Sequence, residues 1–362
     1  MTHQKISPLQ KIMISLFLLF SLTVTGKTYA KQVAPIQVDS IVAPSGEKVS
    51  GFIEVPALSD KASRIPITII NGAKKGPTLT LIGGTHGYEY APIIALQHLA
   101  KTIDANELSG AIIIVHIANM PAFLGRNIYY SPVDHKNLNR VYPGNAEGSL
   151  SERIADAITK NVINQSNYLI DMHSGDGNEE LRPYIYMPHT GNVALDGTIK
   201  AMALSFGIDH IIIDRAPISA PDKSVFTDMT ALSRGIPAIT TEVGRVGSTD
   251  AKWVNKNITG VMSLLRHLNM LSGDPLSSQS IVWLENYQVV ESPQTGVFIP
   301  SVSAGYMVAK DGLLGELVDF FGNHITQIKA PFSGVVNYVI VTPPVSKGEP
   351  LVMLSHIRKE PQ

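Results

Sequence analysis

"TLTLIGGTHGYEYAPIIALQHLAKTI", residues 78–103, changes character half-way along. "TLTLIGG" is apolar almost throughout, as expected of a strand covered on both faces. "APIIALQHLAKTI" carries apolar residues at helical spacing and has Pro92 near its first turn. Between them lies a glycine-rich turn that holds His86 and Glu89. These two residues are either the polar start of a helix or two ligands of a metal ion, and the rest of the chain has to decide between them.

The strand-then-helix pattern recurs downstream. "AIIIVHIAN", "YLIDMHS", "HIIIDR" and "PAITTEVG" read as buried strands. "SLSERIADAITKNVI" opens with Ser149 and Glu152 at capping-box spacing and continues as an amphipathic helix. "NVALDGTIKAMALSFG" and "SVFTDMTALSRG" read as helices that each end at a glycine. Residues 31 to about 75 read as short β segments with polar turns. This alternation predicts an α/β domain with a mixed sheet over residues 31–275. From about residue 276 to 362 the texture is short β segments punctuated by Gly and Pro, a small all-β domain, with "SGDPLSS" at 272–278 as the linker.

Composition narrows the function classes. The 362 residues are 44% hydrophobic and 16% charged, an ordinary globular balance. The formal net charge of -1 gives no electrostatic case for nucleic acid or an anionic membrane, and so favours a small molecule or peptide as the partner. At the N-terminus, Lys5 and Lys11 precede the apolar run "IMISLFLLFSLTVTG", and Ala30 stands at a suitable cleavage point. Residues 1–30 therefore read as a secretory signal, and the mature chain is expected to be periplasmic or secreted, without stable membrane insertion after cleavage. An uncleaved anchor is the alternative. The absence of cysteine excludes lipoprotein attachment and a disulfide framework.

Ligands in open α/β sheets collect outside the carboxyl ends of the strands, so polar residues at those ends have a geometric reason to converge. His86 and Glu89 follow one such strand, His173 ends "YLIDMH", and Glu242 ends "PAITTE". His86, Glu89 and His173 would give a hydrolytic zinc three protein ligands and leave one position for water. Asp171 is considered as a partner for His173 but set aside, on the expectation that strand alternation turns it away. Glu242 suits the general base that takes a proton from the metal's water and returns it to a leaving amine. Its alternative is a plain turn carboxylate. Arg126, Asn139 and Arg140 lie in the long loop "RNIYYSPVDHKNLNRVYPG" and could bind a carboxylate or a developing negative charge, or could simply form surface ion pairs. Tyr129, Tyr130 and Tyr142 are read as packing residues.

With these residues in view, the chain resembles the succinylglutamate desuccinylase/aspartoacylase family of the zinc-carboxypeptidase-like superfamily. The matching elements are "GGTHGYE", "LNRVYPG", "DMHSGD" and "TEVG", in the family's order, and "APFSGVVNYVIVTPPVSKGEPLVML" is similar to its small C-terminal β domain. The resemblance implies one Zn2+ per chain on His86, Glu89 and His173, with Glu242 as general base and acid. It implies that Asn139 and Arg140 bind the substrate carboxylate and that Arg126 polarises the scissile carbonyl. The expected activity is hydrolysis of the amide bond of a small N-acyl amino acid. An exported zinc carboxypeptidase or amidase acting on peptides, such as peptidoglycan stem peptides, shares every one of these residues. Two further readings are disfavoured: a non-catalytic binding module, because the full residue set is present, and a carrier built on the C-terminal domain, because no Met-Lys-Met or Asp-Lys-Ala hairpin tip is found. That domain is expected to be a structural or access-controlling lid. Two departures bear on the substrate: Tyr88 stands where the family most often has Asn or Asp, and the better-known members are cytoplasmic.

Overall fold

The computed structural model describes Met1 and residues 33–276 and 280–358. The signal segment expected over residues 1–30, its cleavage point and part of the 272–278 linker lie outside the described residues.

The chain opens with five strands, β1 (Ile36–Val38), β2 (Ile41–Ala43), β3 (Glu47–Val55), β4 (Ser63–Asn71) and β5 (Lys74–Gly83). Alternation follows with α1 (Tyr90–Thr102), β6 (Ser109–Val115), α2 (Met120–Gly125), α3 (Leu150–Asn161) and β7 (Tyr168–His173). Next come β8 (Glu179–Leu181), β9 (Tyr184–Pro188), α4 (Val193–Phe206), β10 (His210–Asp214), α5 (Thr227–Leu232), β11 (Ala238–Glu242) and α6 (Ala251–His267). The remainder is all β: β12 (Val282–Glu291), β13 (Gly296–Pro300), β14 (Met307–Val308), β15 (Leu313–Val318), β16 (His324–Lys329), β17 (Gly334–Ile340), β18 (Pro344–Val345) and β19 (Pro350–Arg358).

Twelve of these strands form one path in the order β14-β17-β19-β12-β10-β9-β11-β7-β5-β6-β4-β3, and β8 joins at β17. The sheet is mixed. β5 lies parallel to β6 and β7, and β7 lies parallel to β11. β4 is antiparallel to β6, and β9 is antiparallel to β11. Leu79, Leu81 and Ile82 of β5 and Ile112–Val115 of β6 are almost fully buried, which explains why both read as continuous apolar runs. α6 packs against both α1 and α4, while α3 contacts β3 and β4 and α5 contacts β7 and β11.

The helix signals act as read. Ser149 and Glu152 form the capping box of α3, with Glu152 Oε2 accepting the Ser149 N–H at 2.9 Å. Gly207 ends α4 at φ +81°, a conformation costly for any residue with a Cβ.

The fold is the mixed α/β class expected, and no helix occurs among the described residues after residue 280. The C-terminal strands have a core of their own, built on Phe298, Leu317, Val336 and Leu354 beneath a four-stranded sheet ordered β16-β15-β13-β18. They are also continuous with the main sheet, because β12 pairs in parallel with β10 through Val282, Trp283 and Leu284. No helix among the described residues is long and apolar enough to cross a membrane.

Candidate metal centre and active-site cavity

Since β5, β7 and β11 are mutually parallel neighbours, their carboxyl ends share one edge of the sheet. That edge carries the site. After β5 the chain turns through Gly84 at φ +68°, and the carbonyls of Gly83 and Gly84 each accept an N–H from the strand-end segment Ala118–Asn119 at 2.9 Å. Gly87 lies so close to the Ala122 carbonyl of α2 that a Cβ there would collide with it. These contacts hold the His86 turn against the neighbouring loop. Glu89 is the residue that caps α1, where the partial positive charge of the helix end favours a carboxylate.

His86, Glu89 and His173 are buried, and their ligand atoms all lie within 4.8 Å of one another. Glu89 bridges the imidazoles: its Oε1 is 2.7 Å from His86 Nδ1 and its Oε2 is 2.8 Å from His173 Nδ1. The far nitrogens are held elsewhere. His86 Nε2 is 3.1 Å from Asn137 Oδ1, which also accepts the Asn139 N–H at 2.8 Å. The second contact fixes that atom as an acceptor, so Nε2 carries a proton, and Nδ1, which faces Glu89, is the nitrogen left for a metal once its own proton is displaced. His173 Nε2 is 3.0 Å from Asp171 Oδ2. This corrects the expectation for Asp171. Residues two apart on a strand share a face, so Asp171 and His173 point the same way on β7.

The set fits a metal ion. Glu89 Oε2 is buried without a well-directed hydrogen bond, although His173 is close, and a cation would satisfy it. Two imidazoles and a carboxylate, each imidazole held from behind by an acceptor, make up a common donor set for zinc.

The electrostatics are those of a coupled, desolvated cluster. Burial would raise the Glu89 carboxyl, but the two flanking imidazoles outweigh it and hold it at about 2. Burial would lower both histidines, yet His86 is raised by Glu89, and His173 well above its usual value by Asp171 and Glu89. A metal ion would compete with protons for the same nitrogens.

Glu242, at the end of β11, is directly opposite His173 in the parallel register and opposite Tyr184 on β9. It makes no ion pair among the described residues. Burial pushes its carboxyl well above the usual range, and Glu89 and Glu179 add to the shift against a counteracting His173.

Glu242 and the three candidate ligands line one cavity of about 870 Å³, together with Asn139 and Arg140 from a single 3₁₀ turn, Leu138–Arg140. Of the residues expected at the site, only Arg126 is absent from the lining. It ends α2 at φ +51° with an exposed side chain, so the chain turns there and Tyr129 and Tyr130 enter the cavity instead. Tyr129 packs edge-on against the His86 ring at 5.7 Å and donates its hydroxyl to the half-buried Glu179 at 2.5 Å. Tyr142 is buried and lies outside the lining. Several lining residues carried no individual signal in the sequence, among them Glu179, Tyr186, Asp214, Asp228 and Tyr287. Tyr287, Tyr338 and Met353 come from the C-terminal strands, which thus form a wall of the site.

Residues 75–268 match the model of the succinylglutamate desuccinylase/aspartoacylase catalytic domain, more than half of the chain. The chain belongs to this family. It is 29% identical over 282 residues to the N-alpha-acetyl-L-2,4-diaminobutyric acid deacetylase of Halomonas elongata, covering 76% of this chain and 77% of that protein. The product-bound structure of the ectoine utilization protein EutE (DoeB) from Ruegeria pomeroyi is similar with a TM-score of 0.79 and 26% identity, covering 88% of this chain and 98% of that one. The succinylglutamate desuccinylase/aspartoacylase structure from Rhodobacter sphaeroides shares the fold, with a TM-score of 0.78 and 23% identity over 91% of this chain and all of that one.

Proposed function

We propose that this member of the family is a zinc-dependent deacylase that hydrolyses the amide bond of a small N-acyl amino acid. The observation that carries the reading is the meeting of a buried His-Glu-His cluster with a half-buried carboxylate, Glu242, that makes no ion pair among the described residues, in one cavity. The deacetylase named among its relatives supports the same class of reaction.

His86, Glu89 and His173 would hold the metal. A zinc ion bound there supplies a Lewis acid for the carbonyl and acidifies a water. Glu242 takes the proton of the attacking water and passes it to the departing amine, a role suited to a carboxyl whose proton affinity burial has raised. Asn139 and Arg140 dock the substrate carboxylate. Asn139 Oδ1 accepts from the N–H and hydroxyl of Thr227 at 2.9 and 3.1 Å, which leaves its amide nitrogen as the donor toward the cavity. Polarisation of the carbonyl by Arg126 requires its side chain to turn inward when substrate binds. The C-terminal wall favours a small substrate over an extended peptide, since Tyr287, Tyr338 and Met353 limit the cavity on that side. On the N-terminal segment alone, we also propose that the mature chain works in the periplasm or outside the cell, which fractionation of the expressing cells would test.

The deciding experiment is amine release from N-acetyl, N-formyl and N-succinyl amino acids and short peptides by zinc-loaded protein. Chelator-sensitive turnover of the N-acyl amino acids is expected. Turnover of peptides alone would move the protein to the exported peptidase reading.

A further inference from the structure

Lys136 and Arg140 are the lysine and the arginine of the cavity lining, and both are engaged. Lys136 pairs with Glu152 at 2.9 Å, and Arg140 is the partner proposed for the substrate carboxylate. Arg126 lies outside the lining with an exposed side chain. A carbonyl held between the His-Glu-His cluster and Glu242 therefore has to find its hydrogen-bond donor among neutral groups.

Tyr129 stands where such a donor is needed. Its ring packs on His86, a candidate metal ligand, and its hydroxyl partner Glu179 is close enough to Glu242 to raise that carboxyl further. The phenol thus reaches from the metal cluster to the neighbourhood of the candidate base. It is held at both ends. Its backbone sits at φ +58°, a conformation unfavourable for a bulky side chain, and its N–H donates to the fully buried Asp176 at 3.3 Å. Its hydroxyl lies 2.5 Å from Glu179 Oε1 and 3.3 Å from Asn178 Oδ1. All three partners belong to the segment that follows His173, so the strained turn is tied to the loop of a second candidate ligand. Strain of this kind persists only where the surroundings over-determine it, and it gathers at active sites.

Other tyrosines of the lining are placed differently. Tyr184 and Tyr186 turn their hydroxyls to the Met353 sulfur at 3.9 and 3.5 Å, and Tyr130 and Tyr287 are exposed. Glu179 sets the direction of the Tyr129 hydroxyl. Its Oε2 accepts the Asp176 N–H at 3.2 Å, and it makes no ion pair among the described residues. Burial raises its carboxyl above the ordinary range. A carboxyl that holds its proton donates to the phenol oxygen, and the phenol hydrogen then turns to the cavity.

We propose that Tyr129, and not Arg126, is the group that hydrogen-bonds the scissile carbonyl oxygen and stabilises the negative charge it gains, with Glu179 as the residue that aims the hydroxyl. The proposal rests on the deacylase reading and reassigns one of its roles. A neutral phenol binds the ground-state carbonyl weakly and the oxyanion strongly, so its contribution falls on kcat.

The test measures kcat and KM for the N-acyl amino acid that the zinc-loaded native protein turns over fastest, in the native protein, Tyr129→Phe, Tyr338→Phe and Arg126→Ala. Tyr338 is included because it neighbours both Glu179 and Glu242. We expect Tyr129→Phe to lose about 10²–10³-fold in kcat, with KM and zinc content little changed, and the other two variants to lose less. Affinity for the methylphosphonamidate analogue of the same substrate, a tetrahedral anion, should fall in Tyr129→Phe in parallel with kcat/KM, while affinity for the product amino acid stays. Full kcat in Tyr129→Phe would overturn the proposal, and a larger loss in Arg126→Ala or Tyr338→Phe would give the role to that residue instead. Loss of zinc from Tyr129→Phe, or an equal fall in its affinity for analogue and product, would return Tyr129 to a packing role beside His86. No turnover of any N-acyl amino acid by the native protein would remove the deacylase reading and the proposal with it.

Discussion

At the scale of single residues, the proposed roles divide the site into side chains that would hold a metal and a carboxylate that would move a proton. Glu242 has neither a counter-ion among the described residues nor a direct link to the Glu89 bridge, so exchanging its carboxylate for an amide is expected to change proton transfer and little else. Glu242→Gln is expected to keep its metal and lose about 10²–10⁴-fold in kcat; metal analysis beside steady-state kinetics checks this, and full activity at full metal content would remove Glu242 from its role. Asp171 acts through His173, to which it lies within 3.0 Å. Asp171→Asn should weaken zinc binding about 10- to 100-fold, read by competition with a chromophoric chelator, because the imidazole loses the acceptor that fixes its tautomer. The three candidate ligands were legible because their residue types stand at strand ends that the fold must bring together. Asp171 was missed through a misapplied alternation. Two further cavity residues were missed for a better reason: Asp214 and Asp228 are chemically ordinary until β10 and α5 bring them to one cavity.

At the scale of elements, turns do the positioning. Gly87 lets the His86 turn lie against the Ala122 carbonyl, so Gly87→Ala forces apart the His86 turn and α2. The expected cost is about 1–3 kcal/mol of stability, with a loss of metal affinity that the stability change alone does not explain; urea unfolding and metal titration on the same sample separate the two effects. α3 is anchored in another way. Asp60 accepts the Leu150 N–H at 2.7 Å and pairs with the nearly buried Arg153 at 2.6 Å. The Arg153 hydrogen bond holds the Asp60 carboxyl below its ordinary value. A carboxyl with a lowered folded-state pKa adds stability that is present above its unfolded pKa, about 3.9, and is lost as the pH falls through the folded value. Asp60→Asn should therefore be less stable than the native protein at pH 7, and the gap should close below about pH 4. Urea midpoints at pH 7 and pH 3 test the sign, and a gap that widens in acid would refute it. Helices with clear caps and amphipathic faces, such as α3, were legible in advance. α6 was not among the expected elements: Asn257 and Gly260 interrupt its apolar stripe, and Gly260 is required there because the Phe206 ring occupies the place of a Cβ.

At the scale of the whole molecule, the C-terminal strands are both a body with its own core and a part of the catalytic sheet. Their all-β character was legible from Gly and Pro spacing, whereas their attachment was not, because a strand's partner is set by long-range pairing and leaves no local pattern. β12 extends the main sheet through β10, and β17 pairs with β8, the strand that begins at the cavity residue Glu179. The joint has a buried apolar cluster drawn from both sides, including Leu181, Tyr184, Ile212, Leu284, Val335 and Met353. Removing everything after residue 275 would expose an edge of β10, unpin Glu179 and take Tyr287, Tyr338 and Met353 out of the cavity wall. We therefore expect the full chain to unfold in one calorimetric transition, because a shared sheet and a shared apolar joint couple the two parts. A chain ending at residue 275 should be insoluble, or soluble without a sharp transition. Two well-separated transitions in the full chain, or a truncated chain that keeps full kcat/KM, would mean that the C-terminal strands are an appendage and that the cavity closes without them.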